Sequence, residues 1–189
     1  EVARTYGDVV GVPAARVLRT ADDMVLDFAG RPLTFLDTPG HARHHHCIWD
    51  ERSRGFFTGD TFGLSYREFD TPQGAWIMPT TTPVQFEPEP LRRSIERMLT
   101  YRPQRLYLTH FGPVHDVPRL ARVMLDQLDA MVALARALPD DAQRHQALMD
   151  GLGEIHLASL RAHGSPLDAD RVRELLALDN ELNAQGIAV

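Results

Sequence analysis

Apolar and polar side chains alternate along Met24-Val25-Leu26-Asp27-Phe28, the signature of a half-buried strand. Ala29-Gly30-Arg31 is a short turn, and Pro32 to Leu36 reads as the returning strand. The same signals predict a second hairpin, from Cys47-Ile48-Trp49 through a polar turn to Phe56-Phe57-Thr58. A further strand, Leu106-Tyr107-Leu108, comes after a helix expected over Pro90–Tyr101, with Leu91, Ile95, Met98 and Leu99 on one face. Arg102-Pro103 stops that helix. From Val117 the period changes. Val117, Leu120, Met124, Leu128, Met131, Ala135 and Leu138 make one helical stripe that ends at Pro139. A second helix is expected over Ala142–Ala162, open to interruption at Gly151 and Gly153. A third is expected after Asp168 or Asp170, burying Val172, Leu175, Leu176, Leu178 and Leu182.

Two stretches lack this regularity. Residues 1–20 are weakly patterned, with Pro13 arguing against a helix interior. Residues 61–90 hold Gly63, Pro72, Gly74, Pro79, Pro83, Pro88 and Pro90 among Tyr66, Phe69, Trp76 and Phe86. Loops this long inside a compact domain are usually functional or disordered, and the aromatics favour an ordered one, placed to wall a site. Strands and loops first, helices afterwards, divide the chain into residues 1–116 and a helical extension over 117–189.

The candidate chemistry lies at strand ends. The apolar run Leu33–Leu36 stops at Thr38-Pro39-Gly40, and His41 follows. A proline with fixed φ and a permissive glycine hold such a side chain rigidly. Phe56-Phe57 leads to Thr58-Gly59-Asp60, and Leu106–Leu108 leads to Thr109-His110. Two imidazoles and a carboxylate at the edge of one sheet suggest a metal site, with the carboxylate able to bridge two cations. Taken singly, each is more often a turn former or a hydrogen-bonded structural residue than a ligand. His44, His45 and His46 stand beside them. On a continuous strand His44 and His46 would share one face and His45 the other. They would then serve as a substitute ligand, line the substrate pocket or pack in the hairpin. Tyr66 and Trp76 either contact substrate or pin the long loop to the core.

Composition narrows the function. The chain has 189 residues, 43% hydrophobic and 24% charged, enough for one domain with a real core. The net charge of −6 argues against a nucleic-acid partner. Its single cysteine, Cys47, excludes an intrachain disulfide and reads as a buried, inert thiol. No apolar run approaches the roughly 20 residues that span a bilayer, and no signal peptide is visible. The expected setting is cytoplasmic and the expected partner a small-molecule substrate, with neither nucleic acid nor membrane and with homo-oligomerisation open.

TPGH, then TGDT, then LTHFG, in this order over residues 20 to 116, resembles the C-terminal half of the metallo-β-lactamase fold superfamily. The resemblance implies an α/β (α+β) fold: part of an αββα sandwich followed by a C-terminal helical extension, itself similar to those of glyoxalase-II-like and lactonase-like members. It implies that His41 binds one metal, that Asp60 bridges two and is the catalytic carboxylate, and that His110 binds the second. Two divalent ions are expected, zinc first, with iron or manganese compatible. They would lower the pKa of a water, whose hydroxide attacks a small ester, thioester or lactone. His45, Tyr66 and Trp76 are the expected substrate contacts. The family's first motif, HxHxDH, is not in the sequence. The simplest account is a C-terminal portion of a longer hydrolase. The alternatives are a non-catalytic metal- or ligand-binding relative and a di-iron redox relative.

Overall fold

The computed structural model describes residues 7–82 and 85–187. The first six residues of the weakly patterned start, Pro83 and Val84 of the long loop and the last two residues of the extension lie outside them. Six strands form one sheet in chain order: β1 (Met24–Asp27), β2 (Pro32–Asp37), β3 (His46–Asp50), β4 (Gly55–Gly59), β5 (Arg105–Leu108) and β6 (Pro113–Val114). All neighbours are antiparallel except β4 and β5, which run parallel because helix α1 (Pro88–Thr100) makes the crossover. Pro88 and Pro90 occupy the first turn of α1, where backbone N–H groups lack helical partners anyway. The two-residue β6 carries too little pattern to be visible in sequence.

The register explains the core. Trp49, Phe56, Leu106 and Val114 are opposed across β3 to β6 and point to one face. There they meet Leu91, Ile95 and Met98 of α1 and Leu120, Met124 and Leu128 of α2 (Val117–Ala137). The opposite face carries a second in-register row, Met24, Phe35, Ile48, Phe57, Tyr107 and Pro113. Phe57 stacks on Tyr107 at 4.7 Å and remains 45% exposed. A sheet with one wet face would alternate apolar and polar there. This one is apolar on both sides, as half of a sandwich would be.

Helix α3 (Arg144–Ala162) runs unbroken through Gly151, whose missing side chain makes room for Leu134 of α2. The third predicted helix is two. α4 (Ala169–Leu175) is capped by the Asp168 carboxylate on the Arg171 N–H at 2.8 Å, and α5 (Ala177–Ile187) follows a break at Leu176. The expectation that Leu178 and Leu182 are buried is therefore corrected: they are 68% and 43% exposed. Asp179, Asn180 and Asn183 take the inner face of α5 instead, because each has a hydrogen-bond partner there.

One of those partners gives a pH-dependent stability. The His156 ring is fully buried and donates from Nδ1 to Asn180 Oδ1 at 2.8 Å. Burial drives its pKa down to about 4. In the unfolded chain a histidine titrates near 6.5, so the unfolded state takes up the proton first. The stability contribution is complete above about pH 6.5 and is lost progressively as pH falls toward 4, by up to about 3 kcal/mol. Urea unfolding at pH 7 and pH 5 should show the drop, and His156→Gln should flatten that part of the profile.

Candidate metal centre

His41, Asp60 and His110, far apart in the sequence, converge at one end of β2, β4 and β5. His41 leaves the turn after β2. Ser94 of α1 donates to the Pro39 carbonyl at 2.7 Å, and the Gly40 carbonyl accepts from the Glu87 N–H at 2.8 Å. A Cβ on Gly40, at φ +137°, would lie 2.3 Å from the Leu91 backbone, so the turn needs glycine to lie against α1. Asp60 follows a register shift between Phe57 and Gly59 in the β4–β5 pairing, an irregularity of the kind that re-aims a chain at a strand end. Gly59 has φ +50°, and a Cβ there would fall 2.1 Å from the His45 ring.

The protonation pattern follows from the partners. His41 Nδ1 faces the Thr80 carbonyl at 2.9 Å, so Nδ1 carries the proton and Nε2 presents a lone pair. That Nε2 lies 3.6 Å from Asp60 Oδ2, and His110 Nε2 lies 3.5 Å from Asp60 Oδ1. Both separations exceed a hydrogen bond. They are close to the ~3.4 Å that separates ligand atoms on a tetrahedral cation with bonds near 2.0–2.1 Å. Asp60 Oδ1 is buried and has no hydrogen-bond partner among the described residues. An unmatched buried carboxylate oxygen costs stability unless a cation or donor meets it. The donor set thus fits a divalent ion, and the carboxylate directs one oxygen toward each imidazole.

His45 takes a different place from the one expected. The strand begins at His46, so His44 and His45 belong to the preceding turn and strand alternation does not apply to them. His45 Nε2 accepts the Asp60 backbone N–H at 3.2 Å. Its Nδ1–H then donates to Thr61 Oγ1 at 3.1 Å. Burial and the neighbouring His41 lower its pKa and keep it neutral. His41, His45 and Asp60 also offer donor atoms within 4.8 Å of one another, a group that could hold a metal ion. To join it, His45 would have to give up one of these hydrogen bonds. Beneath the site, Thr38 donates to Cys47 Sγ and Cys47 donates to the Thr58 carbonyl, each at 3.2 Å. The Cys47 thiol is raised to about 11 by burial and is a brace between the two turns.

A cavity of about 320 Å³ opens over His41, Asp60 and His110. Its walls include Leu64, Tyr66 and Thr80 of the long loop, Phe111, and Leu178, Asp179, Leu182 and Asn183 of α5. Tyr66 thus lines the cavity, whereas His45 lies behind Asp60. Trp76 is corrected outright. It is fully buried against Phe69 at 5.3 Å and donates its indole N–H to Ser159 Oγ at 2.9 Å, pinning the loop to α3. The participation of α5 was not visible in the sequence; the only hint was the run of polar residues Asp179, Asn180 and Asn183 within an apolar helix. Asn183 fastens the helix to the loop, accepting from the Thr81 N–H at 2.9 Å and donating to the Pro79 carbonyl at 3.1 Å. A larger groove of about 480 Å³ between α2 and α3 contains none of the three strand-end residues.

Comparison with known proteins shows the family and the fold. Residues 6–110 match the metallo-beta-lactamase superfamily, and the chain belongs to that family. The fold is shared with solved structures. A metallo-beta-lactamase family protein of Thermus thermophilus is 24% identical with a TM-score of 0.55, over 77% of this chain and 47% of that one. An archaeal metallo-beta-lactamase superfamily protein of Sulfolobus tokodaii is 22% identical with a TM-score of 0.53, over 85% and 58%. A beta-lactamase domain protein of Burkholderia ambifaria is 19% identical with a TM-score of 0.54, over 90% and 50%. The chain spans about half the length of these solved relatives. No curated protein matches it. Among the described residues no helix is long and apolar enough to cross a membrane.

Proposed function

We propose that this chain carries the His41–Asp60–His110 part of a dinuclear metal site in a hydrolase of small esters, thioesters or lactones. The observation that carries the reading is the Asp60 carboxylate, set between two imidazole Nε2 atoms with a buried, unpartnered oxygen. Bound there, divalent ions would supply Lewis acidity and a water activated near neutral pH. Nitrogen and oxygen donors favour zinc and also suit iron or manganese. The chain's own residues do the positioning. The Thr80 carbonyl fixes the His41 tautomer, and His45 holds the Asp60 backbone. Leu64, Leu178, Leu182 and Phe111 provide apolar surface for the acyl part of a substrate, two of them from α5. This use of the helical extension supports a glyoxalase-II-like or lactonase-like reading of the tail.

The test is zinc content by elemental analysis after reconstitution and dialysis, for the wild type, His110→Ala and His45→Ala, with hydrolysis of a chromogenic ester followed alongside. His110→Ala should lose an ion outright. His45→Ala should weaken binding by about 10- to 100-fold, the usual cost of losing a residue that orients a ligand. If His45→Ala loses the ion and His110→Ala retains it, the binding group is His41, His45 and Asp60 instead. Full occupancy in both would defeat the assignment.

A further inference from the structure

The cavity over the candidate metal centre holds a second carboxylate. Asp179, in the first turn of α5, is only 9% exposed and lines the same wall as His110 and Phe111. Its Oδ2 accepts from the Tyr66 hydroxyl at 2.7 Å. Tyr66 is itself held: its ring lies against Phe111 at 4.4 Å and edge-on to Phe69 at 5.9 Å. Phe111, the residue after His110, has φ +70°, a conformation costly for a bulky side chain. The long loop, the His110 turn and the tail therefore meet at this pair. Among the described residues no arginine or histidine forms an ion pair with Asp179. Burial raises its pKa, and the Tyr66 hydrogen bond and, more weakly, the nearby His110 oppose that shift. Leu64, Phe111, Leu178 and Leu182 supply apolar surface in the same cavity, which also holds His41, Asp60 and His110.

A carboxylate held at an apolar wall is an unfavourable arrangement for the empty protein, since a buried charge is costly when unpaired. The same arrangement rewards a cation or hydrogen-bond donor that enters on an apolar chain, and repels an anion. We propose that Asp179, oriented by Tyr66, is the specificity-determining residue of this site and selects substrates that bear an alkylammonium group over those that bear an anionic one. The proposal deepens the hydrolase reading and rests on it for the word substrate; the selection itself is a binding property of these residues.

Binding can be read without turnover. Hexylammonium and hexanoate have equal chains and opposite charge. Each is titrated into the 189-residue protein with a chelator present, and backbone amide signals of Leu64, Leu178 and Leu182 are followed by NMR. Hexylammonium should bind at least about tenfold more tightly than hexanoate. Asp179→Asn should remove at least about tenfold of its affinity. Asp126→Asn, the same charge change at an exposed carboxylate on α2, should not. Tyr66→Phe keeps the carboxylate and frees it, so it should weaken binding less than Asp179→Asn does. If Asp179→Asn fails to fold, Tyr66→Phe decides alone, and hexylammonium affinity within about threefold of wild type then overturns the proposal. Equal binding of both probes, or hexylammonium affinity within about threefold of wild type in both Asp179→Asn and Tyr66→Phe, would overturn the proposal. In the zinc-loaded protein, a 6-aminohexanoate ester should show a higher kcat/KM than the matching half-ester of adipate. Hydrolysis of neither ester would refute the hydrolase reading, while the NMR result would still decide the role of Asp179.

Discussion

Asp60→Ala should abolish tight divalent-cation binding, lowering zinc affinity by more than about 100-fold in an isothermal titration. The size of the effect follows from where its two oxygens lie. One is 3.6 Å from His41 Nε2 and the other 3.5 Å from His110 Nε2. On the proposed assignment, removing either imidazole would take one donor from one ion, whereas removing the carboxylate would take the shared donor from both. Losing an outer partner that merely orients a ligand typically costs about 10- to 100-fold, so losing the bridging ligand should exceed that range. The fold should change little, because Asp60 Oδ1 is already unpartnered and a deleted unsatisfied group costs no hydrogen bond. Unchanged zinc affinity with an intact fold would exclude Asp60 as a ligand.

Trp76→Ala should lower the free energy of unfolding by about 3–5 kcal/mol, the usual cost of removing a buried aromatic ring. Trp76 is fully buried in the cluster that joins the long loop to the tail, with Phe69, Leu157, Leu160 and Val172. Its loss would leave a cavity and would also strip Ser159 of the indole N–H. Denaturant unfolding measures the effect. The loop that Trp76 anchors also carries Tyr66 and Thr80, so ester hydrolysis should fall with it, through lost order at the cavity wall rather than lost substrate contact. A variant as stable as wild type would refute the structural role assigned here.

Much of the site can be read from local chemistry. Pro39-Gly40 before His41 and Gly59 before Asp60 mark turns that present a side chain, and apolar runs before each turn mark strands. Those signals depend on residues close in sequence, where backbone preference and alternation act. They do not reach the contacts that define the cavity. His45 could be assigned a strand face only by assuming where the strand starts. The structure starts it at His46, and the His45 ring turns onto the Asp60 backbone. Leu178 and Leu182 look like core positions by spacing. Hydrogen bonds from Tyr66, Thr81 and His156 draw Asp179, Asn183 and Asn180 inward instead, and the leucines turn toward the cavity and solvent.

The sequence by itself determined five of the six strands, the three strand-end ligand candidates and the helical character of the tail, because each rests on periodicity or turn chemistry within a few residues. Only the tertiary structure decided that the tail lines the cavity at the site, that Trp76 belongs to the core and that Asp60 lies between two imidazoles. Those outcomes depend on which polar groups find partners across roughly a hundred residues of chain, as Tyr66 and Asp179 do, and no local pattern encodes that choice.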